Sequence, residues 1–256
     1  MPSSPETLIW GIHPVYEALR SNPGLVREII TQGRPGSGKI QEIIDLARQR
    51  KIPVSTPTRL PQPAGGLHAN HQGVMARLKG FPTCNLEDLL NGPGEITPTL
   101  VALDSIQDPH NLGAIIRSAA AAGAAGIIIP KDRSAPLEGA AAKVAAGAMG
   151  RVRICRVTNL ADSLKQLKEA GYWIYGADGL HGQNLHDTDL SGKLCLVIGS
   201  EGKGLRPLVR QQCDFLVAIP MSGLVESLNA SVAAGVMLFE VVRQKNAAGR
   251  NLREKA

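Results

Sequence analysis

Ile219-Pro-Met-Ser-Gly-Leu-Val-Glu-Ser-Leu-Asn229 runs directly into Ala230-Ser-Val-Ala-Ala-Gly-Val-Met-Leu-Phe-Glu240. The apolar run before this segment ends at Pro220, which cannot donate to a sheet ladder, and Gly223 permits the turn. The segment after it is apolar on most sides and predicts a buried helix. Ser227, Asn229 and Ser231 nevertheless lie around the first turn, where buried polar groups need partners. Simple N-capping explains one such side chain well and three poorly, so the pattern favours a ligand-binding loop between a strand and a helix.

The same order of strand, polar loop and helix occurs twice more upstream. Residues 100–104 predict a buried strand, followed by a helix over 112–123 that Asn111 would cap. Residues 194–198 predict a second buried strand, which ends in the glycine-rich loop 199–204. In open α/β sheets such loops gather at the carboxyl ends of the strands and bind ligands there. Three of them predict one composite pocket.

Strand and helix patterns alternate over most of the chain, which predicts an α/β fold with a mostly parallel sheet. A density of Pro and Gly divides the pattern into parts. We predict a small α/β domain over 1–79, a linker over 80–97 with one short helix, a larger domain over 98–246 and a polar, frayed tail over 247–256.

Charge is distributed unevenly along the 256 residues, which carry a net charge of +6. Residues 1–80 hold 10 Lys and Arg against 5 Asp and Glu, whereas 81–256 hold 18 against 17. This excess is what phosphate binding needs, although a basic solvated surface explains it equally well. Aromatic residues make up 3% of the chain, which argues against RNA binding by rows of stacked aromatic rings.

The four cysteines and the N-terminus indicate the compartment. Cys84, Cys155, Cys195 and Cys213 have no metal-binding spacing, as expected of free thiols in a reducing environment. The N-terminus lacks the features of a signal peptide, and no apolar run reaches the roughly 18 residues of a membrane span. We therefore predict a cytoplasmic protein without membrane attachment.

Three ordered motifs resemble a known enzyme family. Asp108-Pro-His-Asn-Leu-Gly-Ala with Arg117, Gly199-Ser-Glu-Gly-Lys-Gly204, and Ile219-Pro-Met with Ser227-Leu-Asn229 are similar to the signature motifs of the SpoU/TrmH branch of the SPOUT methyltransferases. The match covers about residues 98–245. Lys131-Asp-Arg-Ser134 and His71-Gln-Gly73 also resemble members of this branch that modify guanosine in 23S rRNA.

The resemblance implies a fold and a reaction. It implies a deep trefoil knot in the C-terminal domain, an N-terminal RNA-binding domain like L30e and L7Ae, and a homodimer. The implied reaction transfers a methyl group from S-adenosylmethionine to a ribose 2′-hydroxyl of 23S rRNA, a guanosine, with no metal. The substrate would be 23S rRNA or a precursor of the large ribosomal subunit.

The resemblance also implies roles for nine residues. Gly199, Ile219 and Leu228 would hold the methyl donor through backbone groups, and Met221 would pack beside it. The catalytic set would comprise Arg117, Glu201, Asn111, Ser227 and Asn229.

Arg117 is the central residue of this set. It lies in an apolar segment, where an unpaired buried charge is costly, so it should be paired or functional. Because a guanidinium stays protonated in proteins, holding a phosphate and stabilising a developing alkoxide suits Arg117 better than taking a proton. The alternative is a structural ion pair, for instance with Glu201, which could orient Arg117 or receive the proton.

Several other patterns compete with this interpretation. Gly33–Lys39 nearly spells a phosphate-binding P-loop, but Ile40 replaces the required Ser or Thr. His68 with His71, and His181 with His186, lack a third partner for a metal. A tRNA ribose 2′-O-methyltransferase and a noncatalytic RNA-binding ribosome-assembly factor remain alternatives.

Overall fold

The structure, a computed structural model, describes residues 7–32, 38–61, 71–79, 83–91, 98–137, 140–145, 148, 151–223 and 227–254. The chain forms two compact units. One comprises Met1–Pro82 with Pro136–Arg151, and the other comprises Thr83–Ala135 with Val152–Ala256.

The first unit is a four-stranded sheet with helices packed on it. Its elements, numbered along the whole chain, are β1 (Thr7–Trp10), α1 (Ile12–Ser21), β2 (Val26–Thr31), α2 (Gly38–Gln49), β3 (Val54–Ser55) and β4 (Val74–Leu78). The strand order is β1-β4-β2-β3, with β4 antiparallel to β1 and β2. The sequence predicts helices over 13–21 and 40–50 and strands over 26–31, 52–55 and 73–78. It does not predict β1, whose four residues are too few for a clear period-two pattern.

One helix belongs to a different unit from the one predicted. The sequence predicts a helix over 137–149 within the second domain, whereas α5 spans Ala140–Ala145 and contacts β1 of the first unit. Its buried face consists of Ala141, Ala142 and Ala145. Small, uniform side chains favour a helix but do not specify which core the helix joins.

The second unit contains an eight-stranded sheet in which every strand pair is parallel. The elements of this unit are β5 (Thr83–Cys84), α3 (Leu86–Leu90), β6 (Thr99–Leu103), α4 (Pro109–Ala121), β7 (Gly126–Pro130), β8 (Arg153–Val157), α6 (Leu160–Glu169), β9 (Trp173–Ala177), β10 (Gln183–Asn184), β11 (Leu194–Ile198), α7 (Pro207–Arg210), β12 (Phe215–Ala218) and α8 (Ala230–Glu254). The strand order of the sheet is β10-β12-β9-β11-β6-β7-β8-β5. The predicted α/β fold with a parallel sheet is confirmed.

The predicted linker 80–97 contains part of this sheet. β5 pairs with β8 at the edge, and α3 buries Leu86 and Leu89 in the core of the second unit. Two-residue strands carry no periodic signal, which is why the sequence predicts only a helix here.

The long helix α8 is fastened to the connection between β10 and β11. The Gln244 side chain accepts a hydrogen bond from the Leu190 backbone N–H and donates one to the Thr188 carbonyl. β12 also lies between β9 and β10, which are consecutive strands in the chain. A C-terminal helix bonded to an earlier connection, and a late strand between two earlier ones, fit the predicted trefoil knot, which stays a prediction. α8 continues to Glu254, past the point where the sequence predicts a frayed tail.

The four thiols are unpaired and buried or half-buried. Burial raises the pKa of Cys155 and of Cys213 to about 12, so neither forms an appreciable amount of thiolate at neutral pH. None of the helices in the described ranges combines the length and the apolar character needed to cross a bilayer.

Candidate active site at the carboxyl edge of the parallel sheet

The polar loops of the second unit gather at one edge of its sheet. Because all eight strands are parallel, their carboxyl ends lie on the same side. The loops after β6, β11 and β12 are the three that the sequence predicts to form one pocket, and they follow neighbouring or near-neighbouring strands in the order β12-β9-β11-β6.

Glu201 joins these three loops. Its Oε1 accepts hydrogen bonds from Asn111 Nδ2 at 2.8 Å, from Asn229 Nδ2, and from the Ala230 backbone N–H at 3.2 Å. Asn229 Nδ2 also lies 2.9 Å from Asn111 Oδ1. One carboxylate therefore fixes two amide side chains that are 118 positions apart in the chain. The Ala230 N–H is at the N-terminus of α8, where the helix dipole stabilises a negative charge.

The residue that caps α8 also binds Glu201, whereas the residue that caps α4 does not. Asn229 Oδ1 caps α8 by accepting from the backbone N–H groups of Ser231 and Val232, so this residue both caps a helix and binds Glu201. Asn111, predicted to cap α4, lies inside the helix, and Asp108 is the cap, accepting from the His110 N–H at 2.9 Å. The Asn111 side chain is thereby free to reach Glu201.

A second carboxylate ties the first loop to the second. Asp104, which follows β6, is completely buried, and it accepts from the Arg206 backbone N–H at 2.7 Å and from Arg206 Nε at 2.5 Å. Arg206 lies two residues after Gly204, the last residue of the glycine-rich loop. Because the ion pair and the backbone hydrogen bond act together, they hold this loop against the carboxyl end of β6.

The glycine-rich loop is folded back on itself. The backbone groups of Ser200 and Gly204 exchange hydrogen bonds of 3.1 and 2.9 Å. A side chain on Gly199 would place Cβ only 2.4 Å from the Gly204 carbonyl carbon, so no other residue fits at position 199 without moving the loop. The backbone of the loop is therefore closely packed at Gly199.

A cavity of about 830 Å³ opens beside the loop, within the range typical of small-molecule sites. All four predicted donor-binding residues line it: Gly199, Ile219, Met221 and Leu228. Glu201 and Ser227 line it as well. Asn111 and Asn229 are not among the lining residues, but both are hydrogen-bonded to Glu201, which is.

A fourth loop, which the sequence motifs do not predict, contributes to the cavity wall. Asp178, Gly179, Leu180 and His181 follow β9 and line the cavity together with Arg210. Asp178 accepts from the N–H groups of Leu180 and His181 and from Arg210 Nε, each at 3.0 Å. Burial alone would raise the pKa of Asp178, but these hydrogen bonds lower it. Its position after a buried parallel strand was the available signal.

Arg117 is exposed on α4, although the segment around it is apolar. Among the described residues its side chain has no hydrogen bond or ion pair. The alternative role for Arg117, a structural ion pair with Glu201, is therefore not realised within the described residues, and Arg117 is not among the residues that line the cavity. The helical spacing from Asn111 puts it about 9 Å further along α4.

The competing sequence patterns gain no support. In the parts of the chain that the structure describes, no three His, Cys, Asp or Glu side chains are grouped as metal ligands would be. His71 Nδ1 accepts from the Gly73 N–H, while His181 and His186 lie beside Asp178 and Glu240. His68 and most of the P-loop-like segment, 33–37, lie outside the described residues.

Two family profiles match the chain. Residues 98–239 match the SpoU rRNA Methylase family, and residues 8–83 match the RNA 2′-O ribose methyltransferase substrate binding domain. The 23S rRNA (guanosine-2′-O-)-methyltransferase RlmB of Pseudomonas putida is 42% identical over 241 residues, which is 93% of this chain and 96% of that protein. RlmB of Vibrio cholerae is 43% identical, with coverage of 94% and 98%.

The solved structures that resemble this chain include methyltransferases of the same kind. The SpoU methyltransferase AviRb from Streptomyces viridochromogenes, in complex with AdoMet, has a TM-score of 0.74 and 27% identity, covering 94% of this chain and 91% of that one. An AdoMet-bound rRNA methyltransferase from Sinorhizobium meliloti has a TM-score of 0.69 and 27% identity, with coverage of 93% and 87%.

Proposed function

We propose, from the premise that this chain belongs to the SpoU rRNA methylase family, that it transfers a methyl group from S-adenosylmethionine to a ribose 2′-hydroxyl of 23S rRNA. The modified nucleotide is a guanosine, as the names of the RlmB relatives state for those proteins. The observation that carries the proposal is the cavity whose wall includes Glu201, the residue that joins three separate loops.

The residues of the cavity fit the methyl donor. The folded glycine-rich loop and the chain around Ile219 and Leu228 offer backbone donors and acceptors, which suit an adenine edge without adding bulk. The apolar part of the wall, with Met221 and Met237, suits the donor's uncharged portions. When bound, S-adenosylmethionine supplies an electrophilic methyl group; the new O–CH₃ bond forms as the S–CH₃ bond breaks, and the hydroxyl proton is released.

The protein's contribution is to position the hydroxyl and to stabilise charge. Glu201 fixes the side-chain amides of Asn111 and Asn229. Ser227 adds a hydroxyl at the cavity wall. Groups held in place before the reaction need no reorganisation during it, which is the main source of such catalysis.

Arg117 would bind the phosphate of the target nucleotide and stabilise the developing alkoxide. A guanidinium keeps its charge at all physiological pH values and presents a planar set of donors suited to phosphate oxygens. Its exposure on α4 and its lack of a partner among the described residues leave those donors available. Glu201 contacts the amides of Asn111 and Asn229, so its role would be to orient these two amides and not Arg117.

We also propose a homodimer formed through α8. Three large apolar side chains on this helix are exposed: Val232 by 50%, Val236 by 38% and Phe239 by 51%. Their spacing of four and three residues places them in one stripe along the helix. α4, which carries Arg117, packs against α8, so a second copy seated on the stripe would lie close to Arg117.

The substrate and compartment follow from the same premise. The basic N-terminal segment, which matches a substrate-binding domain, would hold the RNA, either 23S rRNA or a precursor of the large subunit. An rRNA substrate places the reaction in the cytoplasm, in keeping with the unpaired cysteines.

Methyl transfer to a 23S rRNA transcript, followed by mass spectrometry of its nucleosides, tests the proposal. The wild-type protein should produce 2′-O-methylguanosine. Arg117→Ala should bind the donor normally in calorimetry and transfer no methyl group, and Arg117→Lys should retain part of the activity. Absence of transfer by the wild type, or full activity of Arg117→Ala, would contradict the proposal or the role of Arg117, respectively.

A further inference from the structure

Two adjacent loops at the carboxyl edge of the sheet hold a non-glycine residue in the left-handed backbone region. Ser105, after β6, has a φ of 64°, and Arg133, after β7, has a φ of 59°. The two loops are joined by a hydrogen bond of 2.8 Å from the Ala135 N–H to the Ile106 carbonyl. Residues with a side chain adopt this conformation only at a cost, and such strain concentrates at functional sites.

The strained loop after β7 presents positive charge. Lys131, Arg133 and Arg156 are exposed, and across the described ranges none of them forms an ion pair. Arg156, from the end of β8, donates through Nη2 to the Lys131 carbonyl at 3.2 Å. Among the described residues of this loop, Asp132 is the one carboxylate. Lys131, Arg133 and Arg156 together therefore carry more positive charge than Asp132 balances.

The distance of these three basic residues from the cavity can be derived from the strand order. β7 is two strands and β8 three strands away from β11, the strand that Gly199 follows. At the usual spacing of parallel strands these are separations of about 10 and 14 Å along the same edge. A nucleic acid strand whose ribose lies at the cavity would place its neighbouring phosphates at such distances.

We propose that Lys131, Arg133 and Arg156 form a binding site for the phosphodiester groups of the acceptor RNA strand next to the methylated nucleotide. This rests on the proposed function and adds to it an RNA contact on the methyltransferase unit itself. The carbonyl contact of Arg156 leaves the rest of its guanidinium for phosphate. The left-handed backbone at Arg133 sets the direction of a side chain that has no hydrogen bond or ion pair to the described residues.

The chain supplies a matched control on the same strand. Arg153 lies at the opposite end of β8, and its Nη1 donates to the Asp88 carbonyl at 3.0 Å, as Arg156 donates to Lys131. Arg153→Ala and Arg156→Ala therefore remove the same charge and the same kind of hydrogen bond from opposite edges of the sheet. Only the second lies in the proposed site.

The experiment measures methyl transfer to a 23S rRNA transcript over a range of salt concentrations. For Arg156→Ala we expect the KM for RNA to rise roughly fivefold and the slope of log KM against log salt to fall by about 0.7, the effect of losing one phosphate contact on a single strand. Lys131→Ala should behave likewise. Arg133→Asn should too, since Asn tolerates the left-handed backbone while lacking the charge. Donor affinity by calorimetry and kcat at saturating RNA should stay within twofold of wild type.

The outcomes separate this inference from the proposed function. If Arg156→Ala and Arg153→Ala give the same KM and the same salt slope while the wild type is active, the phosphate site is refuted and the methyltransferase stands. If the wild type transfers no methyl group, the proposed function fails first; unchanged salt dependence of RNA binding by Arg156→Ala in a filter-binding assay would then refute the site independently.

Discussion

Asp104→Ala removes the carboxylate that connects the first and second loops of the site. Asp104 is fully buried, and its two oxygens accept the backbone N–H and the Nε–H of Arg206, 102 positions away. The substitution leaves a guanidinium without its counter-charge and a backbone N–H without its acceptor. Both groups lie at the base of the glycine-rich loop.

The loss of unfolding free energy in Asp104→Ala depends on how far solvent can hydrate the Arg206 guanidinium after the carboxylate is removed. Removing one partner of a buried ion pair costs roughly 3–5 kcal/mol. The Arg206 side chain is 35% exposed, which lets solvent replace part of the lost interaction. We therefore expect the lower end, about 3 kcal/mol of unfolding free energy, or a fall in Tm of roughly 6–12 °C for a protein of this size. Asp104→Asn keeps one acceptor oxygen but loses the charge, and should cost about 2 kcal/mol.

Thermal unfolding by circular dichroism and donor titration by calorimetry measure the two consequences. Below the unfolding transition, Asp104→Ala should also bind S-adenosylmethionine more weakly, because the loop that lines the cavity loses its anchor. Asp187→Ala is the control, since Asp187 is exposed and forms no side-chain hydrogen bond within the described residues. If Asp104→Ala unfolds within about 0.5 kcal/mol of the wild type, as surface substitutions do, the anchoring argument is wrong.

Three further predictions concern the site, the helix that completes it and the dimer. Glu201→Ala should reduce kcat by at least about 100-fold, because two positioned amides lose their common acceptor, whereas Glu201→Gln should lose less; steady-state kinetics decides. Hydrogen bonds from Arg243 lower the pKa of Glu240 from its ordinary 4.5 to about 2, so its contribution to stability is complete above pH 4.5 and is lost as the pH falls towards 2; Glu240→Gln should flatten unfolding free energy over that window, and an unchanged profile would exclude Glu240 as the source. Val236→Glu should convert a dimer into a monomer in sedimentation equilibrium, with Lys165→Glu on α6 remaining dimeric.

The chain sequence alone predicts most of the elements and the edge at which the site forms. Strand ends are marked by Pro220 and by the glycine-rich loop, and the alternation of strands with helices requires parallel pairing. Parallel strands in turn require their carboxyl ends to share an edge. The convergence of the loops after β6, β11 and β12 is therefore predictable without coordinates.

Other features of the fold and the site depend on which segments lie side by side in the tertiary structure. The strands β5 and β10 have two residues each and gain their pairing from the sheet they join. Residues 178–181 carry no motif, yet they line the cavity because β9 lies between β12 and β11. Arg117 lies in an apolar segment but on the exposed side of α4, which the composition of the segment does not reveal.

Hydrogen bonds between distant segments are the features that the sequence does not predict and the tertiary structure decides. A Pro, a Gly or an apolar period acts within a few residues and fixes where a helix or strand begins and ends. The contacts of Glu201 with Asn111, and of Asp104 with Arg206, join groups 90 and 102 positions apart. Their partners are chosen by strand order and by the packing of α8, which no local pattern encodes, so only the folded chain determines what each of these carboxylates binds.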